Sequence, residues 1–304
     1  MNNKPHYITE FLPFDFTAKK RSYSEDDAVK LALQGIILGD IIGSRYEVSP
    51  RFFEDIRKVE LLGPGHSFTD DSVMTIATYE ATKYLKKHKP ILEKKKIKAY
   101  RESYLKYGNK YPDAGYGESF YRWLHSSAPK PYSSFGNGAA MRAGIIGAMF
   151  SDVNDVIKYA YYSAMPSHNH PEGIKGACVT AVITWMILYG ASKDDIKTYI
   201  KRMYPATEYK YINGEMTIDE VINRPLFTNN QICQRSVPEA FINLIYSNSY
   251  EKYIRNSFRY WCDRDTICAI AGGAAALFYG NIKLSNYNKE DIIEYYPEEL
   301  KQII

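Results

Sequence analysis

The sequence predicts an all-α fold, a compact single-domain orthogonal helical bundle, on three observations. Apolar residues recur at helical spacing from residue 25 to about residue 280. Sustained two-residue alternation, the mark of a half-buried strand, is scarce. The apolar segments also open beside Ser, Thr or Asp and close near glycine, as helix ends do. Prolines are scattered, no Gly/Ser-rich tract divides the chain, and no fixed-period repeat is present, so one domain covers residues 25–304 behind an N-terminal extension of residues 1–24.

The first helix follows Ser24-x-x-Asp27, a capping-box pattern, and carries Val29, Leu31, Leu33, Ile36 and Ile37; it stays apolar through Ile42, with Gly43 and then Pro50 marking its end. The second begins at Thr69 or Asp70 and turns Val73, Met74, Ile76, Ala77 and Tyr79 inward. A third, Ile145 to Met149 with its flanks, follows the turn-rich Ser133-Ser134-Phe135-Gly136-Asn137-Gly138. A fourth runs from Gly173 or Ile174 to Leu188, after Ser167-His168-Asn169-His170-Pro171. The fifth, Ile267 to about Tyr279, is small-sided through Ala269, Ala271, Gly272, Gly273 and Ala274–Ala276. Paired glycines cost a helix roughly 1 kcal/mol each, so they mark close packing against a neighbour or a ligand. Glu208 to Thr217 is the one stretch that reads as a possible short hairpin.

At 304 residues the chain can bury a substantial core. The N-terminus mixes charges and aromatics and lacks the apolar run of a secretory signal. The longest apolar stretch, Ala177 to Gly190, is shorter than the ~20 residues of a membrane span. Both point to a soluble protein with no membrane partner. Cys178, Cys233, Cys262 and Cys268 form no C-x-x-C pair and sit in core-like sequence, as reduced thiols of a cytoplasmic chain do. A net charge of +4 gives little steering toward nucleic acid. The lysine run Lys86, Lys87, Lys89, Lys94, Lys95, Lys96 and Lys98 reads first as a solvated helix face, and only secondarily as a phosphate-binding patch.

Two acidic clusters, Thr69-Asp70-Asp71 and Asp263-Arg264-Asp265-Thr266, lie far apart in sequence, each at the start of a helix. A helix N-terminus accepts one carboxylate readily, but two close together repel. Two such clusters brought face to face would hold a pair of hard divalent cations, magnesium or manganese rather than zinc, since neither offers sulfur or imidazole. The reaction class such a centre points to is hydrolysis. The small residues of Ser133 to Gly138, leading into a helix, suit a backbone cradle for phosphate, although Gly-Asn-Gly is also an ordinary turn. Alternating His168 and His170 would point different ways, so a hydrogen bond from one of them to a substrate, or a merely structural role, fits better than a metal role.

Five segments in order, GIILGDIIGSRYE (35 to 47), FTDDSVMTIA (68 to 77), SFGNGAAMRAGIIG (134 to 147), SHNHPEGIKGA (167 to 177) and DRDTICAIAGG (263 to 273), resemble the ADP-ribosylglycohydrolase family of dinitrogenase-reductase-activating-glycohydrolase-like ADP-ribosylhydrolases. AGYGESFYRWL (114 to 124) and CQRSVPEAF (233 to 241) resemble its bacterial branch. The resemblance implies an all-helical fold around a binuclear site of two Mg²⁺ (Mn²⁺ possible). It implies cleavage of the C1″ bond that joins ADP-ribose to an acceptor on a protein or another ADP-ribosyl conjugate. By the same resemblance Thr69, Asp70, Asp71, Asp263, Asp265 and Thr266 are metal ligands. Glu47, Asp71 and Asp265 are catalytic, Ser134, Gly136 and Asn137 hold the diphosphate, and His168 helps hold the ADP-ribose.

The second metal motif departs from the family pattern. Trp261-Cys262 replaces Gly-Gly, and Arg264 replaces a small hydroxyl. A guanidinium there would occlude the site or repel cations, or else point outward to recognise a phosphate or an acidic target. Arg235 also stands where glycine is common. These departures keep two alternatives open, a catalytically impaired ADP-ribose-binding homologue and a metal-dependent hydrolase of the nucleotide diphosphate.

Overall fold

The computed structural model describes residues 6–16, 21–47, 53, 55–89, 92–205, 231–259 and 262–303. Among them every regular element is helical, and only the isolated bridges Gly136–Ile232 and Leu284–Tyr287 have strand-like pairing. The possible hairpin at Glu208 to Thr217 lies outside the described residues, as does Trp261.

The helices are α1 (His6–Phe11), α2 (Glu25–Ser44), α3 (Asp70–His88), α4 (Glu93–Lys110), α5 (Glu118–Leu124), α6 (Gly138–Met141), α7 (Gly144–Met149), α8 (Val153–Ala164), α9 (Pro171–Leu188), α10 (Lys193–Met203), α11 (Cys233–Ile245), α12 (Tyr250–Asn256), α13 (Arg264–Tyr279), α14 (Lys289–Glu294) and α15 (Glu298–Lys301). The Ser24 side chain caps α2 by accepting from the Asp27 amide. α2 runs one residue past Gly43, and the Ala143 hinge separates α6 from α7. α9 starts two residues before Gly173 because Pro171 takes the first helical position and His170 caps it, accepting from the Glu172 amide at 3.1 Å. α13 likewise starts at Arg264, three residues before the apolar run.

α2 and α13 form the central pair. Gly35, Gly39 and Gly43, each four residues on, make one face of α2, and a Cβ on any of them would overlap the backbone of Gly272, Cys268 or Asp265. Small side chains on both helices let the two backbones touch, and this contact brings the start of α13 beside the end of α2. α3 packs on α2 and α4, while α9 is enclosed by α6, α7, α8 and α13. That enclosure explains the length of apolar sequence in α9, which is a core helix buried along most of its length. Tyr250 Oη donates to the Gly35 carbonyl at 2.6 Å, and Tyr253 Oη to the Ile267 carbonyl at 2.8 Å, tying α12 to the pair. Cys178, Cys233, Cys262 and Cys268 are all buried. Ahead of α2, Phe11 is buried and its carbonyl accepts from Tyr199 Oη at 2.7 Å.

Candidate metal centre and anion cradle

The N-termini of α3 and α13 converge at the C-terminal end of α2. Thr69 caps α3, with Asp70 and Asp71 in its first turn; Asp263 stands before α13, with Asp265 and Thr266 inside it. Thr266 Oγ1 donates to Asp71 Oδ2 at 3.1 Å, joining the two clusters directly.

Asp40 is the residue that sequence reasoning missed. It is fully buried in the middle of α2 and accepts from the Thr69 amide (2.8 Å), Thr69 Oγ1 (2.6 Å), the Ser72 amide (3.0 Å) and Ser72 Oγ. One carboxylate thus orients the whole first turn of α3. Its sequence signal was a lone charge inside the apolar run Ile36–Ile42.

Carboxylate oxygens of Asp40, Asp71 and Asp265 lie within 4.8 Å of one another, and so do those of Glu47, Asp263 and Asp265, so Asp265 belongs to both groups. Asp71 Oδ1 is buried and has no hydrogen-bond partner. Burial, and after it mutual repulsion, raises Glu47, Asp70, Asp71 and Asp265 above the usual carboxylate range. Burial also raises Asp40 and Asp263, against the pull of their hydrogen bonds. Among the described residues no Lys, Arg or His forms an ion pair with any of the six. An all-oxygen donor set with an orphaned buried oxygen and no protein counter-charge fits a hard cation. Thr69 does not line the cleft; its hydroxyl proton is committed to Asp40, leaving only lone pairs for any other partner.

The acidic groups occupy one end of a cleft of about 310 Å³. Glu47 lines it and is the exposed member of the set. At the other end lies the loop Ser134–Gly138. Ser133 has a left-handed backbone (φ 56°), and its amide donates to Asn169 Oδ1 at 2.8 Å, which holds the entry of the loop in place. Asn137 Nδ2 donates to Asp263 Oδ2 (2.7 Å) and Ser236 Oγ (3.0 Å), linking loop, acidic cluster and α11. The Gly136 amide donates to Ser134 Oγ at 3.2 Å.

His168 lies beneath this loop, and a Cβ at Gly138 would press on its Nε2 at 3.0 Å. The buried Arg142 Nη2 donates to Ser167 Oγ at 3.0 Å, and Ser167 Oγ bonds His168 Nδ1 at 2.7 Å. Because the arginine can only donate, the serine proton is free to go to Nδ1, which leaves Nε2–H facing the cleft. Burial, then the nearby Arg142 charge, depresses His168 well below the ordinary histidine value, so the ring is neutral. His170, by contrast, caps α9, so the two alternating histidines do point different ways. Arg142 and Ser167 were not singled out in the sequence; the contact that reveals them is tertiary.

Arg264 neither fills the cleft nor faces solvent, contrary to both expectations. It is fully buried, donates from Nη1 to the Tyr46 carbonyl at 2.8 Å, and places its Cζ 5.6 Å from the centre of the Phe53 ring. Cys262 is buried with its Sγ toward the Ser257 carbonyl at 3.4 Å.

Fold and site together define a class: an all-helical enzyme that gathers oxygen donors for a hard cation in a cleft also lined by a small-residue loop and a neutral histidine. The chain belongs to the ADP-ribosylglycohydrolase family, whose model matches residues 21–302. It is similar to ADP-ribosylhydrolase ARH3 of Homo sapiens, 24% identical over 312 aligned positions that span 82% of this chain and 84% of the relative. The Mus musculus ARH3 is 25% identical, over 82% of each chain. A solved structure titled ADP-ribosylglycohydrolase-related protein complex shares the fold at a TM-score of 0.65 and 19% identity, covering 92% of this chain and 96% of that one. Membership makes the protein a glycosyl-bond hydrolase.

Proposed function

We propose that this protein hydrolyses the bond between C1″ of the distal ribose of ADP-ribose and an acceptor, on a protein or another conjugate, and releases ADP-ribose. The observation that carries this reading is the two oxygen groups sharing Asp265 in a cleft that the Ser134–Gly138 loop also lines, with a neutral histidine beneath that loop. The sugar end and the diphosphate end of one ligand match the oxygen groups and the loop.

Asp40, Asp71 and Asp265 would hold one Mg²⁺, and Glu47, Asp263 and Asp265 a second, with Mn²⁺ as a substitute of the same chemistry. Bound there, such ions supply the positive charge that orients a ribose diol and acidifies water. Asp70 and Thr266 also line the cleft at this end. Asn137 is held by Ser236 and Asp263, which fixes the Ser134–Gly138 loop on the cleft wall where it would receive the diphosphate. His168, neutral and with its proton on Nε2, donates from that nitrogen to an anionic oxygen. Glu47, at the solvent end of the acidic group, takes a proton from the attacking water and delivers it to the leaving acceptor as the C1″ bond breaks.

The test is incubation with defined ADP-ribosyl conjugates of arginine, serine, a nucleobase and an acetyl ester in Mg²⁺, with chromatography of the products. Intact ADP-ribose released by the parent protein, and lost in Asp71→Ala and Asp265→Ala, supports the reading. AMP as product would replace it with diphosphate hydrolysis, and binding without turnover would make the chain a binder.

A further inference from the structure

We propose that Arg264 is a positioning residue that holds the Glu47-bearing segment against the acidic cluster, a role that rests on Glu47 acting as proposed above. The peptide between Tyr46 and Glu47 is held at both edges: its carbonyl accepts from Arg264 Nη1 at 2.8 Å, and its N–H donates to the Ser44 carbonyl at 3.3 Å. That plane sets where the Glu47 side chain leaves the backbone. The need for such a hold follows from charge. Glu47 shares an oxygen group with Asp263 and Asp265, and unless a cation intervenes these carboxylates repel it outward.

Arg264 is suited to oppose that push. It is flanked in sequence by Asp263 and Asp265, yet its side chain turns away from the cleft and is buried, with the guanidinium over Phe53. Its backbone is wedged against Gly43, where a Cβ would overlap both Arg264 and Asp265. The anchor therefore sits on the same helix start that carries Asp263 and Asp265, so Glu47 and its two neighbours are referred to one rigid frame. Tyr46 reinforces the segment, with its ring edge-on to Phe53 at 5.3 Å and Phe258 at 5.1 Å, and its Oη donating to the Glu60 carbonyl at 2.8 Å. These contacts fix the Tyr46 ring; among the described residues Arg264 is the one that grips the carbonyl preceding Glu47. A side chain of serine or threonine size could not reach it.

Arg264→Met keeps most of the buried volume and removes the donor; Arg264→Lys restores one. In Arg264→Met, amide exchange at Tyr46 and Glu47 should speed by about tenfold or more while amides inside α13 keep their protection. Turnover of a conjugate cleaved by the parent should fall about tenfold or more, with KM within about twofold, and Arg264→Lys should recover part of it. In a Glu47→Gln background the Met substitution should add no further loss, because both changes act through one group. Unchanged exchange at Tyr46 and Glu47, or losses that multiply in the double variant, would overturn the role. If the parent cleaves no conjugate, the proposed function fails, and the exchange comparison still decides whether Arg264 holds the segment.

Discussion

At the scale of single residues, Asp40 and His168 show how much of the site is set by buried groups and their hydrogen bonds. Asp40 satisfies two amides and two hydroxyls of the α3 start, the pair from Ser72 buried and the pair from Thr69 part-buried. Asp40→Ala strands those donors at about 1–3 kcal/mol for each unsatisfied buried group, so unfolding free energy should drop by about 3 kcal/mol in urea titrations. Asp40→Asn keeps the shape and removes the charge; Mg²⁺ affinity measured by calorimetry should then weaken about tenfold or more. His168 adds a pH signature. Its native value is depressed below the ordinary 6.5, so the unfolded chain binds a proton there that the native chain refuses. Its contribution to stability is present above pH 6.5 and is lost as pH falls below it. Denaturation of His168→Gln between pH 5 and about 7 should show a shallower acid loss than the parent, and identical slopes would mean His168 is protonated in the native state. Of these two residues His168 was legible in the sequence, because alternating histidines ahead of Pro171 stand out and the family resemblance assigns the first of them to ADP-ribose. Asp40 was legible only as a break in an apolar run, since what it bonds is set by tertiary contact.

At the scale of elements, helix identity was written in the periodicity and the starts of α2 and α3 in their capping residues, while the starts of α9 and α13 were not. The five helices read from spacing all exist, but α9 and α13 begin two or three residues before their apolar runs, because Pro171 and the acidic turn after Asp263 extend them on local grounds. The short elements around them, such as α5 and α6, carry too few turns to show a period. The convergence of α3 and α13 has another cause again, the glycine face of α2. The sequence shows small residues on α13 and glycines on α2 separately; their mutual register is visible only in the packed pair. Gly39→Ala tests that contact. Helix propensity alone would favour alanine by about 1 kcal/mol, yet the new Cβ would overlap the Cys268 carbonyl carbon and oxygen, which are backbone atoms and cannot turn aside. Overpacking of this kind costs about 1–3 kcal/mol or more, so a net loss is expected, seen as a lower urea midpoint at unchanged m. A midpoint at or above the parent's would show that the helices separate freely and that the close approach does not hold the site together.

At the scale of the whole molecule, the fold carries a concentration of acidic groups that no cation of the described residues pairs with. Net charge is +4, yet the ion pairs of the described residues lie elsewhere, and five carboxyls line the cleft with Asp40 buried behind them. Their native values are raised, so between the ordinary 3.8–4.5 and those raised values the native chain holds protons that the unfolded chain has released. The stability they contribute to the metal-free protein therefore falls as pH rises through that window. A divalent cation reverses the logic, because it favours the ionised form and competes with the protons. Mg²⁺ or Mn²⁺ should raise the melting temperature, and EDTA should reverse the gain. At about 100 times the dissociation constant the added stability is about 2.7 kcal/mol, which for a domain of this size is a shift of roughly 5 °C. The increment should be larger at about pH 8 than at about pH 5, where protons occupy the same oxygens. A shift of equal size at both values would place the ion on groups that do not titrate in this range. The absence of any shift with either metal would leave the six acids without a partner, and with it would fall the cation requirement on which the proposed hydrolysis rests.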